Sequence, residues 1–80
     1  MDNKIAVVAI IVEAPESVER VNATLHNFRD WILGRQGLPL RDKGLSVINI
    51  VMDAPQEEIN SLSGKLGMIN GVKSKVLTTK

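Results

Sequence analysis

The stretch Ala9–Leu25, AIIVEAPESVERVNATL, is echoed by Ile48–Leu66, INIVMDAPQEEINSLSGKL. Each copy runs from apolar residues to an acid (Glu13, Asp53), then to Ala-Pro (Ala14-Pro15, Ala54-Pro55), then to an acidic pattern with helical spacing. The two lie half of the 80-residue chain apart. Proline lacks only an N–H that the first turn of a helix leaves unpaired anyway, and Glu16, Glu19, Glu57 and Glu58 sit where a helix dipole favours carboxylates. Each Ala-Pro therefore predicts a strand handing over to a helix.

Downstream of the first, Val18, Val21, Leu25, Phe28 and Ile32 recur at three and four residues, which predicts an amphipathic helix from about Pro15 to Ile32. Ile59, Leu62 and Leu66 predict a second, ending at Gly67 in the cap position just beyond the helix, with Asn70-Gly71 turning the chain onward. Upstream, Ile5–Val12 and Leu45–Met52 are β-branched runs of strand length. Arg35–Arg41 reads as another strand, joined to the next by Asp42-Lys43-Gly44, and Val72–Thr78 closes the chain. The order is βαββαβ. It implies a single α+β domain over residues 1–80, a ferredoxin-like two-layer sandwich with an antiparallel sheet of order 4-1-3-2. The expected edge strands carry Pro39, Lys73 and Lys75, residues that discourage further pairing.

The expected central strands are apolar on both sides. Ile5, Val7, Ala9 and Ile11 alternate with Ala6, Val8, Ile10 and Val12, and Leu45, Val47 and Val51 with Ile48, Ile50 and Met52. Helices on one face would leave the other as an aliphatic patch larger than monomers usually expose. A homo-oligomer, dimer or tetramer, is expected.

Composition removes many functions. Without cysteine there are no disulfides, thiolate metal sites or cysteine nucleophiles, and one histidine cannot build a multi-histidine metal site in one subunit. A net charge of +1 supplies no field for nucleic acid or anionic membranes. The only aromatics are Phe28 and Trp31, which leaves the central strands without base-stacking groups. The apolar run Ile5–Val12 is too short to span a bilayer and has no cleavage pattern, so a cytoplasmic protein with no membrane association is expected. Gly64-Lys65 resembles a phosphate loop but sits near a helix end and is followed by Leu66, so it reads as punctuation.

Few residues are left to carry a site. Glu13 closes the first strand, His26 lies one position past the apolar stripe, and Arg35 and Arg41, with Lys43, form a basic cluster on the expected hairpin. These are candidates to line an effector site, with no catalytic residue, metal or cofactor expected. Glu57, Asn60, Ser61 and Gly64 form a polar outer face on the second helix. An exposed glycine there costs about 0.5–1 kcal/mol relative to alanine without any packing gain, which reads first as tolerance on a solvated face and otherwise as a candidate interaction surface where another chain approaches closely.

LHNFRDWILGRQGLPL, with Leu25-His26-Asn27-Phe28 and Arg35-x-Gly37-x-Pro39, together with LSGKLGMINGVKSK, resembles the small proteins named as iron-only hydrogenase system regulators. These are grouped with ACT-like domains and with the ligand-binding domain of nickel-responsive repressors. The resemblance implies a ferredoxin-like, oligomeric regulatory module with a role connected to hydrogenase maturation or expression, and the expected function is a non-enzymatic ACT-like module that self-associates and binds a small effector near the subunit interface. The alternative is an adaptor that docks on a protein partner through the second helix. Pro15 is followed by Glu16 instead of the glycine of amino-acid-binding ACT domains, and the nickel ligands of the repressors are absent. No ribbon-helix-helix or helix-turn-helix pattern accompanies these residues, so transcriptional regulation by direct nucleic-acid contact is not expected.

Overall fold

The computed structural model describes residues 2–79. Strands β1 (Lys4–Val12), β2 (Ile32–Leu40), β3 (Leu45–Ala54) and β4 (Val72–Thr78) alternate with helices α1 (Val18–Asn27) and α2 (Gln56–Gly67) in the order β1-α1-β2-β3-α2-β4. The sheet order is β2-β3-β1-β4, antiparallel throughout. This is the ferredoxin-like sandwich that the repeated strand-to-helix unit predicts, and it fits the ACT-like grouping that the family resemblance implies.

The echo in the sequence is a symmetry of the sheet. Residues half a chain apart in the two copies meet as partners at Ala9 and Asn49, in the middle of the β1–β3 ladder. An approximate two-fold axis passes through that pair, and each half contributes one central strand, one helix and one edge strand.

Two helix ends differ from the periodic reading. The first helix does not run to Ile32. It opens as a 3₁₀ turn over Pro15–Ser17, stops at Asn27 and gives way to a second 3₁₀ turn over Arg29–Trp31, and Ile32 is the first residue of β2. Phe28 is buried at the break, with φ −107° and ψ 13°. A tight turn followed by a strand thus continues the apolar spacing of the helix without continuing the helix. Arg41 correspondingly lies in a 3₁₀ turn beyond β2, and that turn ends at Gly44 with φ 69°. The second difference is at Gly67, which is the last residue of α2. Met68 caps the helix in right-handed geometry, and the left-handed glycine is Gly71, with φ 74°.

The core lies between the helices and one face of the sheet. Ala6, Val8, Ile10 and Val12 of β1 and Ile48, Ile50, Met52 and Ala54 of β3 are buried against Val21, Leu25, Ile59, Leu62 and Leu66. The buried polar residue Ser17 donates from Oγ to the Asn70 carbonyl oxygen at 2.7 Å. Beside it the Glu13 N–H donates to the Gly71 carbonyl at 2.7 Å. These two bonds tie the β1–α1 junction to the turn that leads into β4.

Candidate functional site: an apolar sheet face and a cationic groove

Strand registers place Ile5, Val7, Ala9 and Ile11 on the face away from the helices, flanked by Val47 and Val51 of β3, Leu38 of β2 and Leu77 of β4. Six of the eight exposed large hydrophobics lie here: Ile5, Val7, Ile11, Leu38, Val51 and Leu77, the last 74% exposed. Asn49 and Gln36 pair across the middle, and Lys73 and Lys75 of β4 line one margin. Apolar alternation on both sides of β1 is thus one buried face and one face open to solvent.

The helix side is covered unevenly. α2 lies against β4, whereas Arg35, Gly37 and Pro39 of β2, which share the helix-side face with Ile50, Ile48 and Ser46, are exposed. A groove follows the gap between α1 and β2. At one end a cavity of about 340 Å³ is lined by Asn22, Leu25, His26, Arg29, Ile32 and Arg35. A middle section of about 230 Å³ shares Asn22 and Arg35 with it and adds Gly37. The far section, about 280 Å³, shares Val18 and Pro39 with the middle and ends at Arg41. The walls carry three arginines and a histidine, and no carboxylate is among the lining residues.

Two hydrogen bonds hold the guanidinium groups. Arg35 Nη2 donates to Asn22 Oδ1 at 2.9 Å, and Arg29 Nη1 donates to the His26 carbonyl oxygen at 2.9 Å. The ion pair among the described residues lies elsewhere, between Lys73 and Glu13 at 3.5 Å.

The structure thus brings His26, Arg35 and Arg41 onto one groove. It leaves Glu13 outside it, at the end of β1 with its carboxylate toward Lys73. Glu57, Asn60, Ser61 and Gly64 are exposed on α2, where Gln56 Nε2 donates to Asn60 Oδ1 at 2.9 Å. Nothing stands within 4 Å of where a Gly64 Cβ would be. The sequence reading missed Arg29, Asn22 and Gly37. A helix drawn through to Ile32 hides the reversal that puts Arg29 and Arg35 on the wall of the same cavity. The signal was the Arg29-Asp30-Trp31 run, whose charges and bulk fit a turn as readily as a helix.

Among the described residues there is no cluster of three or more His, Asp or Glu suited to a metal ion, and no helix is long and apolar enough to cross a membrane.

No curated protein matches the sequence significantly. The structure of TM1266 from Thermotoga maritima, described as an uncharacterized protein, superposes with a TM-score of 0.92 at 39% identity, covering 99% of this chain and 100% of that one. Two enzymes share the fold alone. A formyltetrahydrofolate deformylase from Pseudomonas putida KT2440 matches with TM-score 0.59 and 14% identity, over 91% of this chain and 28% of that one. SnoaB, a cofactor-independent oxygenase from Streptomyces nogalater, matches with TM-score 0.56 and 18% identity, over 98% and 94%. The family model that matches residues 4–76 is described as "TM1266-like: Iron-only hydrogenase system regulator, putative". With that match across both βαβ halves, the chain belongs to the TM1266-like family of iron-only hydrogenase system regulators.

Proposed function

We propose that this chain is a non-enzymatic regulatory module of an iron-only hydrogenase system, working as a homo-oligomer joined through the open face of its sheet and responding to a small effector. The carrying observation is that most of the exposed large hydrophobics share that one face. A patch of several hundred Å² at roughly 25 cal/mol/Å² favours burial by several kcal/mol before the costs of association. A second copy is the occupant that fits, because the middle of the face is uncharged and its cations stand on one margin. A two-fold axis along the strands sets each β4 over the partner's β2, which keeps Lys73 and Lys75 away from their own copies.

Sedimentation of the wild type and of Val7→Lys tests the assembly. The wild type is expected at a multiple of 8.8 kDa, and the variant at the monomer mass with an unchanged circular dichroism spectrum. A wild-type chain that sediments as a monomer at tens of micromolar overturns the reading.

A second reading, an adaptor that docks on a larger protein without an effector, draws on the exposed Gly64 in the polar face of α2. Gly64→Arg separates the two: it leaves the mass and any effector binding intact, and abolishes regulation only if that helix is the docking surface.

A further inference from the structure

We infer that the groove between α1 and β2 is a binding site for an organic phosphate of mononucleotide size, its phosphate held by His26, Arg29 and Arg35 and its organic body lying along Gly37 and Pro39. The inference rests on the effector-binding part of the function proposed above and supplies that effector's place and chemical class.

Charge comes first. The end of the groove gathers two guanidinium groups beside an imidazole, and no carboxylate is among its lining residues to neutralise the arginines. Elsewhere on the molecule Lys73 has found Glu13. Guanidinium groups are the side chains best suited to tetrahedral oxyanions, and a site with several suits a dianion better than a single carboxylate.

Geometry comes second. Arg29 and Arg35 each spend a donor on a protein oxygen and keep others free, so the hydrogen bonds to the His26 carbonyl and to Asn22 orient the planes without exhausting them. That prior ordering lowers the cost of capture.

Shape comes third. From Arg35 to Pro39 the strand advances about 14 Å at roughly 3.4 Å per residue, which leaves room for a ligand of mononucleotide size. Gly37 faces the groove in register with buried Ile48. A Cβ at Gly37 would meet no atom within 4 Å and its φ is not positive, so neither strain nor crowding in the chain itself requires glycine there. The space above it is open, so a ligand in the groove can lie against the strand without displacing a side chain.

The test is an amide ¹H–¹⁵N titration of the full chain with adenosine monophosphate, inorganic phosphate and succinate at constant ionic strength. Saturable shifts are expected at residues 22–32 and 34–38, with succinate weaker than either phosphate. Arg35→Gln should weaken both phosphates about tenfold or more, in keeping with the loss of a charge-assisted bond. Gly37→Val should weaken the mononucleotide at least about tenfold while leaving inorganic phosphate within about twofold. Shifts that do not saturate, that appear equally at Lys73 and Lys75, or that survive Arg35→Gln overturn the site. Equal effects of Gly37→Val on both phosphates overturn the placement of the organic body. Val7→Lys, on the opposite face, should bind phosphate as the wild type does, so a failure of self-association and a failure of this site read out separately.

Discussion

Gly71 stands so close to Ala14 that a methyl group on it would lie 2.5 Å from the Ala14 Cβ and 3.0 Å from the Ala14 nitrogen. It also holds φ at 74°, where an L side chain is strained. Both effects oppose a side chain at this position. Gly71→Ala should therefore cost about 2–4 kcal/mol, the left-handed strain adding to overpacking against backbone. Urea unfolding monitored by circular dichroism measures it, and a loss under about 1 kcal/mol would mean that the β1–α1 junction yields more easily than its contacts indicate.

Ser17 belongs to the same junction. It is 7% exposed, and its hydroxyl serves the Asn70 carbonyl oxygen at 2.7 Å. Ser17→Ala leaves that oxygen short of a partner in a half-dry position, which should cost about 1–2 kcal/mol. Because the bond joins segments far apart in sequence, hydrogen exchange at Val72 and Ser74 should quicken along with the fall in global stability.

Neighbouring isoleucines on β1 should behave oppositely. Ile10 is fully buried and Ile11 is 40% exposed on the open face. Ile10→Ala should cost about 2–5 kcal/mol at every protein concentration. Ile11→Ala should cost under about 1 kcal/mol in dilute, dissociated protein and more as the concentration rises, because mass action joins assembly to apparent stability. Melting curves over a hundredfold range of concentration distinguish the two.

Gly64→Ala should stabilise the chain by about 0.5–1 kcal/mol. The residue lies inside α2, exposed, with open space around it and ordinary helical backbone, so alanine restores helix propensity without a clash. Chemical denaturation reads the gain directly. A loss instead would show that this surface is already in contact with another chain.

Lys73→Ala, by contrast, should change monomer stability by less than about 0.5 kcal/mol, since the pair with Glu13 is 3.5 Å long and well exposed on both sides. Thermal melts of dilute protein at low and high salt check this.

The architecture was readable because its two halves repeat a physical device: an apolar strand, an acid, Ala-Pro and an acidic first turn. Edge and centre followed from Pro39, Lys73 and Lys75. Spacing could not show where α1 ends, because Phe28 is buried at the break and Ile32 resumes packing from a strand. That boundary decides the groove. Only with the helix stopped at Asn27 does the chain reverse and bring Arg29 and Asn22 beside Arg35, a consequence of side-chain reach across a gap that a linear pattern does not encode. His26, Arg35 and Arg41 were identifiable as unclaimed polar groups. Their shared wall was not.

The axis through Ala9 and Asn49 makes the turn Arg41–Gly44 a hinge between interchangeable parts. If it opened, the front half of one molecule would close on the rear half of another and recover every core contact, so loyalty to its own chain rests on that link being just long enough to turn back. Shortening it is the change expected to produce intertwined pairs, separable from singly folded protein only by unfolding.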